Sequence, residues 1–458
     1  MKASPKTIAV LGAGVTGLCA TLRLRELGHQ VVLLEASDRV GGAVGTRVEN
    51  GFLAEWGPNT LLESSSRITA LIASLGLEGR RRVANPEMKH RYIVRSGKPV
   101  PLPLSPPAFL TSSLFSLKAK LRLLKEPFIA KAPADLEESL ATFVERRLGK
   151  EVLDYAINPF VAGIYAGDPD SLSVRHAFPK LYALEQHHGS LIGGQIRGRR
   201  KVSREGEVSK VRAKLLSFDQ GMQVLTDRLG EVVASSLQLA SPIDRVEKTD
   251  GQWWVHGRQP LSVDAVLGAV PAHAMARMTF EDGPRIDMRW LEQIVHPPVA
   301  SVVMGFDREQ VRHPLDGFGM LIPKVESHHI LGTIFSSSLF EHRAPQGCVT
   351  LSTYLGGMRQ PELALLDAAA MDHLILRDLE ALLGVQGRPK YVHRRIWPQA
   401  IPQYTVGYGT FLERFDAIEK HHPGLYFAGH FRNGISLGDS MLAGLDAAER
   451  MHQQLQST

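Results

Sequence analysis

The sequence has little cysteine and nothing that reads as a membrane span. Its two cysteines, Cys19 and Cys348, allow neither a disulfide framework nor a cysteine-ligated metal site. The uncharged stretch PVPLPLSPPAFLTSSLFSL, residues 99–117, approaches the length of a bilayer span, but its five prolines each remove a backbone donor and exclude a spanning helix. Neither an internal repeat nor a low-complexity tract is present. The net charge of +6, from 53 Lys and Arg against 47 Asp and Glu, is concentrated in KAKLRLLKEPFIAK and IRGRRKVSREGEVSKVRAK. The second run, 196–214, reads as a mobile solvated loop. It lacks the interleaved aromatics of a single-strand groove, so nucleic acid is not an expected partner. The first strand starts almost at once, leaving no room for a secretory or transit segment and pointing to a cytoplasmic chain.

What is present begins with IAVLGAGVTGLCATLRLRELGHQVVLLEA. Residues 8–11 read as a buried parallel strand, Gly12-Ala13-Gly14-Val15-Thr16-Gly17 as a tight turn into a helix through Gly28, and 31–34 as the next strand. Gly12 permits the sharp turn, Gly14 lets the backbone approach a pyrophosphate, and Gly17 lets helix and strand pack closely. Glu35 ends the second strand, where its carboxylate can accept both hydroxyls of an adenosine ribose and disfavours a 2'-phosphate. NAD and FAD both remain open on these residues.

At the other end stands GLYFAGHFRNGISLGDSMLAGLDAAERM. Here 425–428 reads as a short strand, 429–438 as a glycine-punctuated loop, and Asp439 as an N-cap or first-turn acid of a helix to about 451. Such a helix start can aim backbone N–H groups at a flavin or its phosphates. Between the ends, ADLEESLATFVERRLGKEVLDYAINPFVAGIYAG reads as two helices, SPIDRVEKTDGQWWVHG as a hairpin turning at Asp250-Gly251, and VDAVLGAVPAHAM as a buried strand. With 458 residues and 44% hydrophobic content, the chain can fill two or three lobes. The proline-broken apolar stretch and the basic run 118–131 behind it read either as an apolar surface and amphipathic helix lying on a membrane or as a core-facing loop and an ordinary surface helix.

The segment EASDRVGGAVGTRVENGFLAEWGPNT resembles the continuation found in flavoproteins of the amine oxidase and protoporphyrinogen oxidase superfamily, and the closing segment resembles that family's C-terminal FAD segment. The resemblance selects FAD, bound non-covalently. One departure is Ala43, where members often carry a basic residue after the double glycine; Arg47 is the expected substitute. KHRYIVRSGKPVPLPLSPPAFL, NPFVAGIYAGDPDSLSVRHAFPKL and LGTIFSSSLFEHRAP narrow the likeness to the protoporphyrinogen oxidase family, over nearly the whole chain.

That resemblance implies an α/β (α+β multidomain) fold. It comprises a Rossmann-like, p-hydroxybenzoate-hydroxylase-type FAD domain (1–88, 213–290, 415–458), a mixed-sheet substrate domain (89–98, 291–414) and a helical membrane-binding lobe (99–212). Cofactor contacts are expected from Gly12, Ala13, Gly14, Thr16, Gly17, Glu35, Arg39, Gly41, Gly42, Gly57, Pro58, Asn59, Gly429, Gly438, Asp439 and Ser440, with the Val246 backbone meeting the adenine. Arg91 matches the arginine that pairs with a substrate propionate, and Asn59 the asparagine near flavin and tetrapyrrole. Leu315 and Phe335 match residues that sandwich pyrrole rings, and Gly163 to Gly167 a pocket loop.

The implied reaction is hydride transfer from a methylene bridge of protoporphyrinogen IX to flavin N5, with O2 reoxidising FAD to give peroxide in haem biosynthesis. No side chain is assigned as a general base, because positioning supplies the catalysis and the flavin the hydride chemistry. Expected partners are the tetrapyrrole, O2, the inner face of the cell membrane, a second copy of the chain and ferrochelatase. The alternatives are a coproporphyrinogen III oxidase, a flavin amine oxidase, a carotenoid desaturase and a flavin-binding scaffold without turnover.

Overall fold

The computed structural model describes residues 5–198 and 214–457; the expected solvated loop lies, over 199–213, outside the described residues. Thr7–Leu11 is the central strand of a parallel five-stranded sheet, flanked in order by Leu237–Gln238 and Gln30–Leu34 on one side and Ala265–Gly268 and Leu425–Phe427 on the other. Three distant segments of chain build this one sheet. Its side chains alternate as a strand requires. Ile8 and Val10 pack with Leu18, Leu22 and Met441 of two helices, Val15–Glu26 and Leu437–Ser457. Those helices touch backbone to backbone, since a Cβ on Gly444 would lie 2.3 Å from the Thr16 carbonyl oxygen.

Ala9 and Leu11 face the other way, onto Val246, Trp253 and Phe280 of a second five-stranded sheet. There Arg245–Thr249 and Gln252–His256 pair antiparallel through Asp250-Gly251, with φ values of 52° and 80°, the backbone that such a two-residue turn demands.

A seven-stranded mixed sheet forms the second body. Its order is Tyr391–Trp397, Val299–Asp307, Cys348–Gly356, Ile330–Phe335, Gly317–Leu321, His90–Arg95, Lys98–Pro101. It extends through Pro101, slightly beyond the point where the sequence places the start of the helical lobe. The register sorts its residues onto two faces. Arg395, Ser301, Tyr354, Gly332, Leu321 and Ile93 stand in one row on one face. Met304, Leu351, Leu355, Met320 and Tyr92 are sealed on the other with Met371, Ile375 and Leu379 of helix Ala368–Leu383.

The third body is helical. Among its elements, Leu117–Leu123 is a seven-residue helix in the expected basic run, with Leu117 72% and Phe128 89% exposed. Arg147, fully buried, ties this body together. It pairs with Glu185 at 2.8 Å and Glu126 at 3.5 Å, and donates to the Ile129 carbonyl at 2.7 Å. No helix among the described residues is long and apolar enough to cross a membrane.

Candidate active site

The glycine turn folds as its spacing dictates. Gly12 has φ +100°, and a Cβ on Gly17 would sit 1.9 Å from the Gly12 oxygen. Helix Val15–Glu26 starts without a capping side chain among the described residues and without an acid in its first turn, which leaves its first N–H groups for an anion. The Gly41 amide donates to the Ala13 oxygen at 2.8 Å, and a Cβ on Gly42 would be 3.3 Å from Gly14 Cα. Two glycine turns thus face each other across a backbone-lined slot suited to a diphosphate. Glu35 is fixed beside it: Oε2 accepts from Ala13 N at 2.7 Å and Oε1 from Ser37 N at 2.9 Å and Oγ at 2.7 Å. The carboxylate keeps lone pairs for ribose hydroxyls. Thr16 Oγ1 donates to the Ser440 oxygen at 3.1 Å, joining the two chain ends at the slot. Ser436 Oγ accepts from Asp439 N at 3.0 Å, so the cap of the closing helix is Ser436 and Asp439 lies in its first turn. Gly438 packs against Ile68, where a Cβ would be 3.1 Å from Cδ1.

A strap of residues 56–59 crosses from this slot to the seven-stranded sheet. A Cβ on Gly57 would meet the Ala43 oxygen at 2.5 Å, so the strap, continuing through Pro58, lies directly on the double-glycine loop. The Trp56 oxygen accepts from Trp397 Nε1 at 2.9 Å. Asn59 Nδ2 donates to the Gly57 oxygen at 3.2 Å and to Tyr354 Oη. Desolvation raises the Tyr354 phenol pKa, so it stays protonated. Beneath the strap, buried Glu55 accepts from Arg343 at 3.0 Å, Thr46 Oγ1 at 2.7 Å and Met222 N at 2.9 Å. Burial raises the Glu55 pKa and lowers that of Arg343, each opposed by the other's charge.

Arg91 stands exposed on its strand, 5.7 Å from the Phe318 ring and in no ion pair among the described residues. Gly163, on helix Asn158–Tyr165, is pressed against Leu321, where a Cβ would lie 2.6 Å from Cδ2. A Cβ on Gly167 would meet Gln403 Oε1 at 2.6 Å, so that glycine packs behind the loop.

Leu315 and Phe335 require correction. They are 2% and 0% exposed and belong to the core with Tyr92 and Met320, on the face away from Asn59. The cause is a register shift between Ile330 and Gly332, after which Ile334, not Phe335, shares the face of Ser352 and Tyr354. Leu331, Leu321 and Tyr354 occupy the site face instead; Leu331 packs with Ala162, Ala166 and Tyr354. The alternation of Thr350, Ser352 and Tyr354 with Val349, Leu351 and Leu355 was the sequence signal for that face.

Val246 lies in a strand paired on both sides, with Val255 and Phe280, while the residues bonded to the Glu35 segment are Gln238, Ala240 and Ser241. Arg47 is exposed and pairs with Glu49 at 3.3 Å, so it does not replace the cation absent at Ala43. Arg39 donates to the Val40, Gly42 and Val44 oxygens at 3.0, 2.5 and 2.9 Å, shaping its loop from within.

The closing loop leaves its strand at Gly429, with φ +148°. Tyr404 Oη donates to the His430 oxygen and accepts from Gly434 N at 3.0 Å. His430, His296 and His273 stack edge to face, with ring centroids 6.2 and 5.1 Å apart. Desolvation, then the neighbouring histidines, pushes His430 down to about 3, and desolvation followed by His296 pushes His273 down to about 4.

Two facing glycine turns, an acid fixed beside them and a strap leading to a mixed sheet are an arrangement that suits a flavin-dependent oxidoreductase. The chain belongs to the flavin containing amine oxidoreductase family, whose model matches residues 15–452, and its cofactor is FAD. It is 36% identical to protoporphyrinogen oxidase 2, chloroplastic/mitochondrial, of Arabidopsis thaliana over 99% of this chain and 95% of that protein. Identity is 27% with coproporphyrinogen III oxidase of Bacillus subtilis, covering 96% of each chain. A crystal structure from Exiguobacterium, assigned provisionally as a protoporphyrinogen oxidase, superposes with a TM-score of 0.82 at 25% identity, covering 98% of this chain and 99% of that one.

Proposed function

We propose that the protein is an oxygen-dependent protoporphyrinogen IX oxidase of haem biosynthesis. The observation that carries this reading is the bond from Asn59, on the flavin-side strap, to Tyr354 on a sheet face that also carries Leu321, Ile93 and Arg91, the last without an ion pair among the described residues. Leu321, Leu331 and Gly163, packed together where helix Asn158–Tyr165 meets this face, give the apolar contact for a macrocycle, and Arg91 takes a propionate in a charge-assisted hydrogen bond. The strand residues between Tyr354 and Arg91 on this face include no carboxylate, as suits a substrate whose methylene hydrogens are already labile. FAD, when bound, would supply the hydride acceptor and the route by which the electrons reach O2, with peroxide as the product. Tyr354 holds the Asn59 amide at the meeting point, and the apolar side chains packed around Tyr354 keep water from the reacting carbon. The greater identity to the plant protoporphyrinogen oxidase than to the bacterial coproporphyrinogen III oxidase supports the two-propionate substrate.

An oxygen electrode tests the acceptor. Protoporphyrinogen should drive oxygen consumption, half of which returns when catalase is added. Turnover without that return removes O2 as the two-electron acceptor.

The exposed Leu117, Leu121, Leu124 and Phe128 beside Lys118 and Lys125 form an amphipathic surface, which lies on a membrane in this reading. Co-sedimentation with anionic liposomes, lost on Phe128→Glu, is the expected result; indifference of the wild type to liposomes removes the membrane assignment.

A further inference from the structure

The double-glycine loop has no cation of its own. Residues 41 to 45 are Gly, Gly, Ala, Val and Gly, the Arg39 fork is committed to three carbonyls of that loop, and Arg47 is paired outside with Glu49. A cation does reach this place from another body of the fold. Arg395 projects from strand Tyr391–Trp397 with its guanidinium carbon 5.0 Å from the Trp56 ring and 4.5 Å from the Trp397 ring. Trp56 in turn presses on the loop, where a Cβ on Gly45 would lie 2.3 Å from Cε3, and Arg39 stands 4.5 Å from the same ring.

Two guanidinium groups therefore surround one indole, and Arg395 has no ion pair among the described residues. Arg395 Nε and Trp56 Nε1 are moreover buried donors without an acceptor among the described residues. Unmatched buried donors beside an unneutralised charge cost free energy unless a ligand meets them. An anion rich in oxygens fits, and the backbone slot for one lies across the same loop.

We infer that Arg395 is a diphosphate anchor for FAD, contributed by the seven-stranded sheet to the glycine loop. A substrate propionate does not fit the position as well. Arg395 lies on the first strand of the sheet and Arg91 on the sixth, five strand spacings or roughly 24 Å apart, more than the width of a tetrapyrrole. The Asn59–Tyr354 junction falls between them, so the two arginines serve opposite sides of it. The arrangement also makes FAD a link between two bodies of the fold.

The test is ligand affinity of the apoprotein, read by quenching of flavin fluorescence with FAD and with riboflavin, which lacks phosphate. Arg395→Gln is expected to weaken FAD by about tenfold or more, the scale of a charged hydrogen bond, and to leave riboflavin unchanged. Adding Ala43→Lys to that variant should restore much of the FAD affinity by placing a cation beside Gly42. Equal losses for FAD and riboflavin would assign Arg395 to packing of the tryptophans and overturn the inference. Unchanged FAD affinity with a raised KM for porphyrinogen would make it a substrate residue and overturn it equally. If Arg395→Gln does not fold, Arg395→Lys is read the same way: a loss confined to FAD supports the anchor, and a loss shared by riboflavin, or none, contradicts it.

Discussion

Asn59 donates its side-chain amide to Tyr354 Oη, and with the bond from Trp397 Nε1 to the Trp56 oxygen this joins the strap that rests on the glycine loop to the sheet that carries Arg91. The two side chains come from residues almost 300 positions apart, so the orientation of Asn59 depends on how the two bodies dock. Tyr354→Phe removes the acceptor while keeping the ring. Flavin reduction by substrate should slow by about fivefold to tenfold, the worth of one hydrogen bond, with FAD content unchanged. An undiminished reduction rate would show that Asn59 is held without Tyr354.

Arg91→Ala should raise KM for the porphyrinogen by about tenfold or more while kcat changes little. Because Arg91 is exposed and has no ion-pair partner among the described residues, the melting temperature should not move. A lower melting temperature with KM unchanged would make Arg91 structural.

The legible parts of this site were the local ones. The 12–17 turn, Glu35, the 41–42 loop and the Asp250-Gly251 hairpin are fixed by backbone chemistry within a few residues, and each stands where the spacing placed it. The facing of long strands was less legible, because a single irregularity inverts it. The shift between Ile330 and Gly332 put Phe335 into the core and left Leu331 and Tyr354 on the site face. Leu315 is buried at φ +56° in the loop ahead of strand Gly317–Leu321, a backbone state that nothing in its own side chain announces. Arg395 was invisible for a further reason: its meaning comes from Trp56 and the Gly41-Gly42 loop, which only docking brings beside it.

The Glu55–Arg343 pair should behave as a buried staple between the two bodies. Arg343→Met leaves a carboxylate with 4% exposure unmatched and should cost about 3 to 5 kcal/mol in urea unfolding at neutral pH. Changing Glu55→Leu as well should recover part of that loss. A double variant no more stable than Arg343→Met would contradict the assignment.

Stability should also decline in weak acid through the histidine stack. Unfolded histidines protonate near 6.5, whereas folded His273 and His430 stay neutral down to about 4 and about 3. Below pH 6.5 the unfolded chain therefore binds more protons, and stability falls as pH drops from 6.5 toward those values; above 6.5 these groups contribute no slope. His430 can add at most about 1.4 kcal/mol per pH unit, and His273, more exposed and facing His296 and Arg277, adds less. Melting temperatures of apoprotein between pH 6.5 and 4.5 should fall less steeply in His430→Gln than in wild type, and parallel slopes would rule the stack out.

The most direct measurement is anaerobic stopped-flow mixing of the FAD-loaded protein with protoporphyrinogen IX and, separately, coproporphyrinogen III, following bleaching of the flavin. The account predicts rapid reduction by protoporphyrinogen IX, slower reduction by the four-propionate substrate, and a weaker response to both in Arg91→Ala. Faster reduction by coproporphyrinogen III would contradict the assigned substrate, and a flavin that neither porphyrinogen bleaches would contradict the function itself.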